Sequence, residues 1–338
     1  MTATRPEPTL DAFIFMYAVR ESEGIGPVPA PAGNSPLADR LDGLLFFPVT
    51  AFDRDGGFDP GGYRHHLEAR LADGPAAVFA ACGTGEFPAL APAEYERCVA
   101  VAVAAAAGRV PVISGTGYGT ALAREYAAAA ERAGADGLLV LPPEGVDGGQ
   151  EGLARHYEAL AAGTGLDLIL YQRGHLAFEP ATVARLAEVP TVIGLKDGRG
   201  DLDLMLRIVS AVRTADRPDF RFFNGMPTAE MTQLAYRAIG VPLYSSAIFC
   251  FAPDLALAFH RAFDKEDTAT LATLVDVFLR PYVELRRRRP GYAVSLVKAA
   301  TRAAGHPVGT VRAPLAEPEP EHVRALRDLV DRAREVLA

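Results

Sequence analysis

From Leu44 onward, short apolar runs alternate with longer, alanine-rich stretches of helical character. The short runs are apolar at nearly every position rather than at every second one, which is typical of parallel strands that are covered on both faces. Eight strands are predicted in this way: Leu44–Val49, Ala76–Ala80, Val110–Ser114, Gly137–Leu141, Asp167–Tyr171, Thr191–Lys196, Phe220–Phe223 and Val241–Ser245.

The stretches between these strands predict helices, several of which begin with proline, a residue that suits the first helical turn. The predicted helices are Pro92–Ala107, Thr120–Ala133, Gln150–Ala162, Pro180–Glu188, Leu202–Arg213 and Pro227–Ile239. Eight β-then-α units in series predict an α/β fold that closes as a (β/α)8 TIM barrel. The alternative is a doubly wound open sheet, but no glycine-rich phosphate fingerprint follows the first strand.

Three regions are predicted along the chain. Residues 1–38 are rich in Pro, Gly and Ala without steady periodicity, and we expect a flexible N-terminal extension. Residues 39–252 form the barrel. Residues 253–338 add three helices beyond what barrel closure needs, the last over Glu321–Leu337, and we interpret them as a C-terminal helical appendage.

Composition narrows the classes of partner and compartment. The 338 residues carry a net charge of -8, which argues against a nucleic-acid partner and against an anionic membrane surface. No stretch approaches the roughly 20 apolar residues of a membrane span, and the N-terminus lacks the basic flank of a signal peptide. Three cysteines at no metal-like spacing predict neither disulfides nor a metal site, so we expect a cytoplasmic protein.

Lysine is scarce, since only Lys196, Lys265 and Lys298 are found among 34 basic residues. Arginine cannot lose its proton at useful pH, whereas a desolvated lysine can become a neutral nucleophile. Lys196 ends an apolar strand, where burial would lower its pKa and allow the amine to attack a carbonyl. The alternative is a surface ion pair with Asp197.

In barrels of this kind the catalytic groups lie at the carboxyl ends of the strands. Tyr171 ends the strand next to that of Lys196, and its phenol could shuttle a proton during imine formation; the alternative is a buried structural tyrosine. The turn Gly83-Thr84-Gly85 could offer backbone N–H groups and a hydroxyl to a carboxylate. For Glu86 we expect a structural role, either orienting Thr84 or capping the helix that begins at Pro92.

Gly83-Thr84-Gly85-Glu86, Tyr171 and Gly194-Leu195-Lys196-Asp197-Gly198 together resemble the signature set of the dihydrodipicolinate synthase and N-acetylneuraminate lyase superfamily. Further segments resemble its 5-dehydro-4-deoxyglucarate dehydratase branch, and the similarity covers about Asp39 to the C-terminus. These segments are Tyr171-Gln172-Arg173, Lys196-Asp197-Gly198-Arg199-Gly200-Asp201, Asn224-Gly225-Met226-Pro227-Thr228-Ala229-Glu230, Tyr244-Ser245-Ser246-Ala247 and Gly291-Tyr292-Ala293-Val294-Ser295-Leu296.

The resemblance implies that Lys196 forms a Schiff base with a 2-oxo sugar acid, that Tyr171 relays protons, and that Gly83 with Thr84 holds the carboxylate beside the ketone. It also implies a substrate-binding set that is completed at the strand ends by further residues: Arg173, Asn224, Gly225 and Ser245. The implied reaction is a dehydration and decarboxylation that needs no metal and no organic cofactor. A homotetramer or homodimer is the implied assembly.

The chain departs from the branch pattern at several positions near the predicted site. Glu144 stands where a tyrosine is common, and Gly174-His175 stands where Asp-Asn is usual. Cys82, Ala89 and Cys250 replace Gly, Ser and Asn. Two alternatives therefore stay open: a class I aldolase or synthase that acts on another 2-oxo acid, and a barrel that binds a sugar acid without turnover.

The run Arg286-Arg287-Arg288-Arg289 offers positive charge for a distal carboxylate. Four consecutive residues, however, wrap around most of a helical turn, which favours a solvated helix end.

Overall fold

The computed structural model describes residues 36–143, 145 and 148–337. The predicted extension over residues 1–38 lies largely outside this part and stays a prediction. A short helix, α1 (Pro36–Arg40), precedes the first strand, and its Leu37 and Ala38 are buried in the core. Packed structure therefore begins slightly upstream of Asp39.

Eight parallel strands close into a barrel in sequential order, and the first strand pairs with the last. They are β1 (Leu45–Phe46), β2 (Ala77–Ala80), β3 (Val112–Thr116), β4 (Gly137–Val140), β5 (Asp167–Gln172), β6 (Val192–Asp197), β7 (Arg221–Asn224) and β8 (Leu243–Ser246). Their side chains are almost all buried, which agrees with the continuous apolar runs in the sequence. The predicted (β/α)8 barrel is thereby confirmed.

Helices cover the outside of the barrel: α2 (Pro60–Leu71), α3 (Pro92–Ala106), α4 (Thr120–Ala133), α5 (Gly149–Ala161), α6 (Pro180–Ala187), α7 (Leu202–Thr214), α8 (Gln233–Ala238) and α9 (Pro253–Asp264). Local signals fix several of their starts. The Asp59 carboxylate caps α2 by accepting from the backbone of Gly61 and Gly62, and the Asp201 carboxylate caps α7 through Leu204 N.

One predicted helix is wrong in its extent. The segment Pro227–Ile239 forms a 3₁₀ turn over Ala229–Met231 and then the short helix α8. The break has two causes. Thr228 adopts a left-handed backbone with φ 60°, and the Asn224 amide donates to the Ala229 carbonyl oxygen at 3.0 Å. A helix starting at Pro227 would need helical dihedrals at Thr228.

The C-terminal appendage begins after α9. Helix α10 (Thr268–Leu274), a π-helical segment (Val275–Leu279) and α11 (Arg280–Arg286) follow one another, and then come α12 (Tyr292–Ala303) and α13 (Pro320–Leu337). The appendage brings the ends of α11 and α12 to the mouth of the barrel, where both contribute side chains to a cavity. No helix in the described ranges is long and apolar enough to cross a bilayer.

Candidate active site

A cleft opens at the carboxyl ends of the strands, and most of the predicted site residues line it. Its volume is 770 Å³ including the open mouth. Seven predicted residues lie on its wall: Gly83, Thr84, Tyr171, Arg173, Lys196, Gly225 and Ser245. The remaining one, Asn224, does not.

Lys196 lies in the cavity wall with its side chain almost completely buried. Its Nζ lies 4.2 Å from the centroid of the Phe47 ring and 4.6 Å from that of the Tyr171 ring. The pKa of Lys196 is lowered to about 7, chiefly by burial and also by the nearby Arg173, while Cys82 acts in the opposite direction. A large fraction of this amine is therefore neutral near physiological pH.

The alternative of a surface ion pair between Lys196 and Asp197 is wrong, because both residues are buried and the Asp197 carboxylate bonds elsewhere. Gln172 Nε2 donates to its Oδ1 at 2.9 Å, Arg199 N donates to the same oxygen at 3.0 Å, and the Tyr236 hydroxyl donates to Oδ2. These bonds hold the turn after β6. Among the described residues, no carboxylate lies within ion-pair distance of Lys196 Nζ.

Tyr171 is the register partner of Lys196 on the adjacent strand. Its hydroxyl donates to the Gly225 carbonyl oxygen at 3.4 Å, and burial raises its pKa, so the phenol keeps its proton. Two glycines leave room for this pair. A Cβ at Gly198 would lie 3.0 Å from the Tyr171 hydroxyl, and a Cβ at Gly225 would lie 2.7 Å from Lys196 Cε.

The Gly83-Thr84-Gly85 turn follows β2 and is held from below by Thr50, whose Oγ1 donates to the Gly85 carbonyl oxygen at 2.7 Å. The guanidinium of Arg173 lies close to the turn, since a Cβ at Gly83 would be 3.5 Å from Arg173 Nη1. The turn and this exposed arginine together form a cationic end of the cavity that suits a carboxylate.

Glu86 has a structural role, but not one of those predicted. Its Oε1 accepts from Lys298 Nζ at 2.8 Å, and its Oε2 accepts from the Arg312 backbone N at 2.9 Å. The cap of α3 is instead supplied by Glu94, whose side chain accepts from Ala91 N at 3.1 Å. Glu86 thus joins the Gly83-Thr84 turn to α12 and to the segment that follows it.

The Asn224 amide is fully engaged within its own loop. Its Nδ2 lies within hydrogen-bond distance of the Ala229 carbonyl oxygen, Thr232 Oγ1 and Gln233 Oε1, and its Oδ1 accepts from Met226 N at 3.1 Å. Its position at the end of β7 therefore shapes the loop that carries Met226 and Thr228 into the cavity wall.

Other residues of the cavity wall are not among the predicted site residues, although Arg286 was considered for a distal carboxylate: Phe47, Gly198, Met226, Pro227, Thr228, Ala247, Tyr282, Arg286, Ala293 and Val294. Phe47 directly follows β1, so the strand-end rule could have found it. Tyr282 and Arg286 come from α11, for which no such rule exists. The expectation of a solvated helix end is wrong for Arg286, which is half-buried and lines the cavity, whereas Arg287, Arg288 and Arg289 are exposed.

The structure describes Gly174 and His175, two of the positions at which the chain departs from the branch pattern. Gly174 adopts φ 61°, a backbone conformation that favours glycine, and its carbonyl oxygen accepts from Arg199 Nη1. His175 beside it is exposed. Glu144, which stands where a tyrosine is common, lies outside the described residues.

Comparison with known proteins identifies a matching family and several similar proteins. The dihydrodipicolinate synthetase family matches residues 40–333. A protein of Streptomyces coelicolor named probable 5-dehydro-4-deoxyglucarate dehydratase 1 is 58% identical over 305 residues, which cover 89% of this chain and 96% of that protein. A protein of Paracidovorax citrulli named probable 5-dehydro-4-deoxyglucarate dehydratase is 46% identical over 290 residues, covering 86% and 94%.

Solved structures share the same architecture. Dihydrodipicolinate synthase from Bacillus anthracis superimposes with a TM-score of 0.77 at 25% identity, over 86% of this chain and 97% of that one. The synthase from Bacillus clausii gives a TM-score of 0.80 at 23% identity, over 88% and 99%, and supports the fold alone.

Proposed function

This chain belongs to the dihydrodipicolinate synthetase family, and we propose that it is a Schiff-base lyase acting on 5-dehydro-4-deoxy-D-glucarate. The products would be 2,5-dioxopentanoate, water and CO2. The observation that carries the proposal is the buried Lys196 amine, with its pKa lowered to about 7, beside the Tyr171 ring in a strand-end cavity. The names of the close relatives support this choice of substrate.

Imine formation follows from the arrangement of the cavity. The neutral Lys196 amine attacks the ketone carbon, and the Tyr171 phenol carries a proton to the carbinolamine oxygen, which leaves as water. The neighbouring carboxylate is held by the Gly83-Thr84 turn and by Arg173. Because the aromatic rings of Phe47 and Tyr171 flank the amine, the site keeps Lys196 desolvated until the substrate binds.

The later steps use the iminium as an electron sink. Loss of a proton from the adjacent methylene gives an enamine, which expels the β-hydroxyl as water and leaves a conjugated iminium. The electron pair of the bond to the distal carboxylate then moves into this system as CO2 departs. Loss of CO2 leaves a dienamine whose far end is an enol. Protonation of the two carbons between the enol carbon and the imine carbon gives the aldehyde and restores the iminium, and hydrolysis of this iminium releases the product. Relative to the substrate dianion, the reaction consumes one proton.

Product analysis tests the proposal directly. The protein is incubated with 5-dehydro-4-deoxyglucarate, and released CO2 and 2,5-dioxopentanoate are measured for the wild type, for Lys196→Ala and for the control Lys265→Ala, which alters an exposed lysine. We expect equal amounts of both products from the wild type and the control, and none from Lys196→Ala. Carbon–carbon cleavage without CO2 would identify an aldolase, and binding without any product would identify a non-catalytic sugar-acid-binding barrel.

We also expect the protein to form a homotetramer or a homodimer and to be located in the cytoplasm. Both rest on the family resemblance and on the sequence, and both stay predictions.

A further inference from the structure

The cavity has a second cationic group, Arg286, at the end of α11. Its side chain lines the same cavity as Lys196. Its Nε is shielded from solvent and lacks a hydrogen-bond partner, and within the described ranges its guanidinium forms no ion pair. Such a group requires an explanation, because a buried unpaired donor destabilises the folded protein.

Glu230 is the carboxylate whose charge acts on Arg286, but within the described residues the two side chains form no ion pair. Glu230 is buried, its Oε1 accepts from Ser246 Oγ at 2.7 Å, and its Oε2 has no partner in the part of the chain that the structure describes. Burial raises the pKa of Glu230 to about 7, so much of this carboxyl is protonated near neutral pH. Arg286 therefore keeps a net positive charge that faces the cavity.

The order of groups around the barrel mouth gives the cavity two ends. Gly83 follows β2 and Arg173 follows β5, and these form the first cationic end. Lys196 ends β6. Arg286 interacts electrostatically with Glu230, whose partner Ser246 ends β8. A ligand bonded to Lys196 with one carboxylate at the first end would extend its chain towards β7 and β8, where Arg286 lies.

We propose that Arg286 binds the second carboxylate of a dicarboxylic 2-oxo acid and so makes the site selective for dicarboxylates over monocarboxylates. This inference rests on the proposed function, because it assumes that the ketone lies at Lys196. A carboxylate loses its charge as it departs as CO2, which weakens its attraction to a guanidinium. Arg286 therefore contributes to substrate binding, and its removal raises KM more than it lowers kcat.

Two ligands of equal chain length, which differ only in the second carboxylate, measure what this carboxylate contributes to binding. Both 2-oxohexanedioate and 2-oxohexanoate carry a ketone beside a carboxylate, and neither has a β-hydroxyl to eliminate. Dissociation constants are measured by calorimetry on the full-length wild type, on Arg286→Ala and on Arg287→Ala. The last is a matched control, since it removes the same charge from the adjacent, exposed position.

We expect the wild type and Arg287→Ala to prefer the dicarboxylate by at least about tenfold, as a charge-assisted hydrogen bond provides. Arg286→Ala should lose this preference while its affinity for 2-oxohexanoate stays unchanged, and Arg286→Lys should recover part of it. A preference that survives in Arg286→Ala, an equal loss for both ligands, or no preference in the wild type would each overturn the assignment. Borohydride trapping of 2-oxohexanoate on Lys196 of Arg286→Ala tests the proposed imine separately, because that ligand lacks the second carboxylate.

Discussion

Replacing Lys298 with Met tests how much the folded protein loses when the buried Lys298–Glu86 ion pair is broken from one side. Lys298 Nζ lies 2.8 Å from Glu86 Oε1, and the two side chains are 0% and 1% exposed. The same ammonium lies 3.8 Å from the centroid of the Phe52 ring. The substitution keeps most of the side-chain volume but leaves the Glu86 carboxylate buried without its counter-ion, so the loss of the charge dominates the effect.

Breaking a buried pair from one side costs about 3–5 kcal/mol, because the remaining charge stays desolvated. In a domain of this size that corresponds to a fall in Tm of roughly 4–7 °C. The double variant Lys298→Met with Glu86→Gln should recover much of the loss, since it removes the unpaired charge. Arg334→Met is the surface control. It breaks the pair with Asp254, whose side chains are 46% and 48% exposed, and should cost less than about 1 kcal/mol.

Thermal and urea unfolding of the four proteins measure these differences. Because Glu86 joins the Gly83-Thr84 turn to α12, the Lys298→Met protein should also bind 2-oxo acids more weakly at temperatures where it is still folded. Equal destabilisation by Lys298→Met and Arg334→Met, or no recovery in the double variant, would refute the reasoning.

Three further predictions concern the proposed catalytic groups. The proposed reactive form of Lys196 is the neutral amine, and the pKa of this amine is lowered to about 7. The value of kcat/KM should therefore rise with pH through about 7 and then level off. A profile that is flat from pH 5 to 9 would contradict this prediction. Tyr171→Phe should lower kcat about 100-fold while ligand affinity is retained. The control Tyr157→Phe alters a buried tyrosine outside the cavity and should change kcat little. Similar rates for both variants would mean that another group transfers the proton. Gly225→Ala would place a Cβ 2.7 Å from Lys196 Cε and should displace the amine. Borohydride trapping should therefore fall at least tenfold. Unchanged trapping would contradict this prediction and show that the strand ends relax around the added methyl group.

Much of the fold follows from local patterns in the sequence. Strand positions were predicted to within a few residues, because a strand buried on both faces leaves an apolar run that stands out from the amphipathic helices around it. The candidate nucleophile follows from a related pattern, because Lys196 ends such a run in a chain in which nearly all basic residues are arginine. Its burial and its position beside Tyr171 agree with that prediction.

What the sequence could not provide depends on contacts between distant segments. Lys298 and Glu86 are 212 positions apart, and neither shows locally that the other is its partner. Arg286 lies within a run of four arginines, and only the packing of α11 over the barrel mouth distinguishes it from its exposed neighbours. The irregular backbone at Thr228 likewise arises from the hydrogen bonds of Asn224, which no helix propensity contains.

The central claim is that Lys196 forms a covalent imine with a 2-oxo acid, and reductive trapping measures it most directly. The protein is mixed with 5-dehydro-4-deoxyglucarate or with 2-oxohexanedioate, sodium borohydride is added, and peptide mass mapping locates the adduct among the three lysines. The account predicts modification of Lys196 alone, because Lys265 is an exposed residue at the end of α9 and Lys298 is held against Glu86. An adduct on Lys265 or Lys298 with Lys196 unmodified would contradict it.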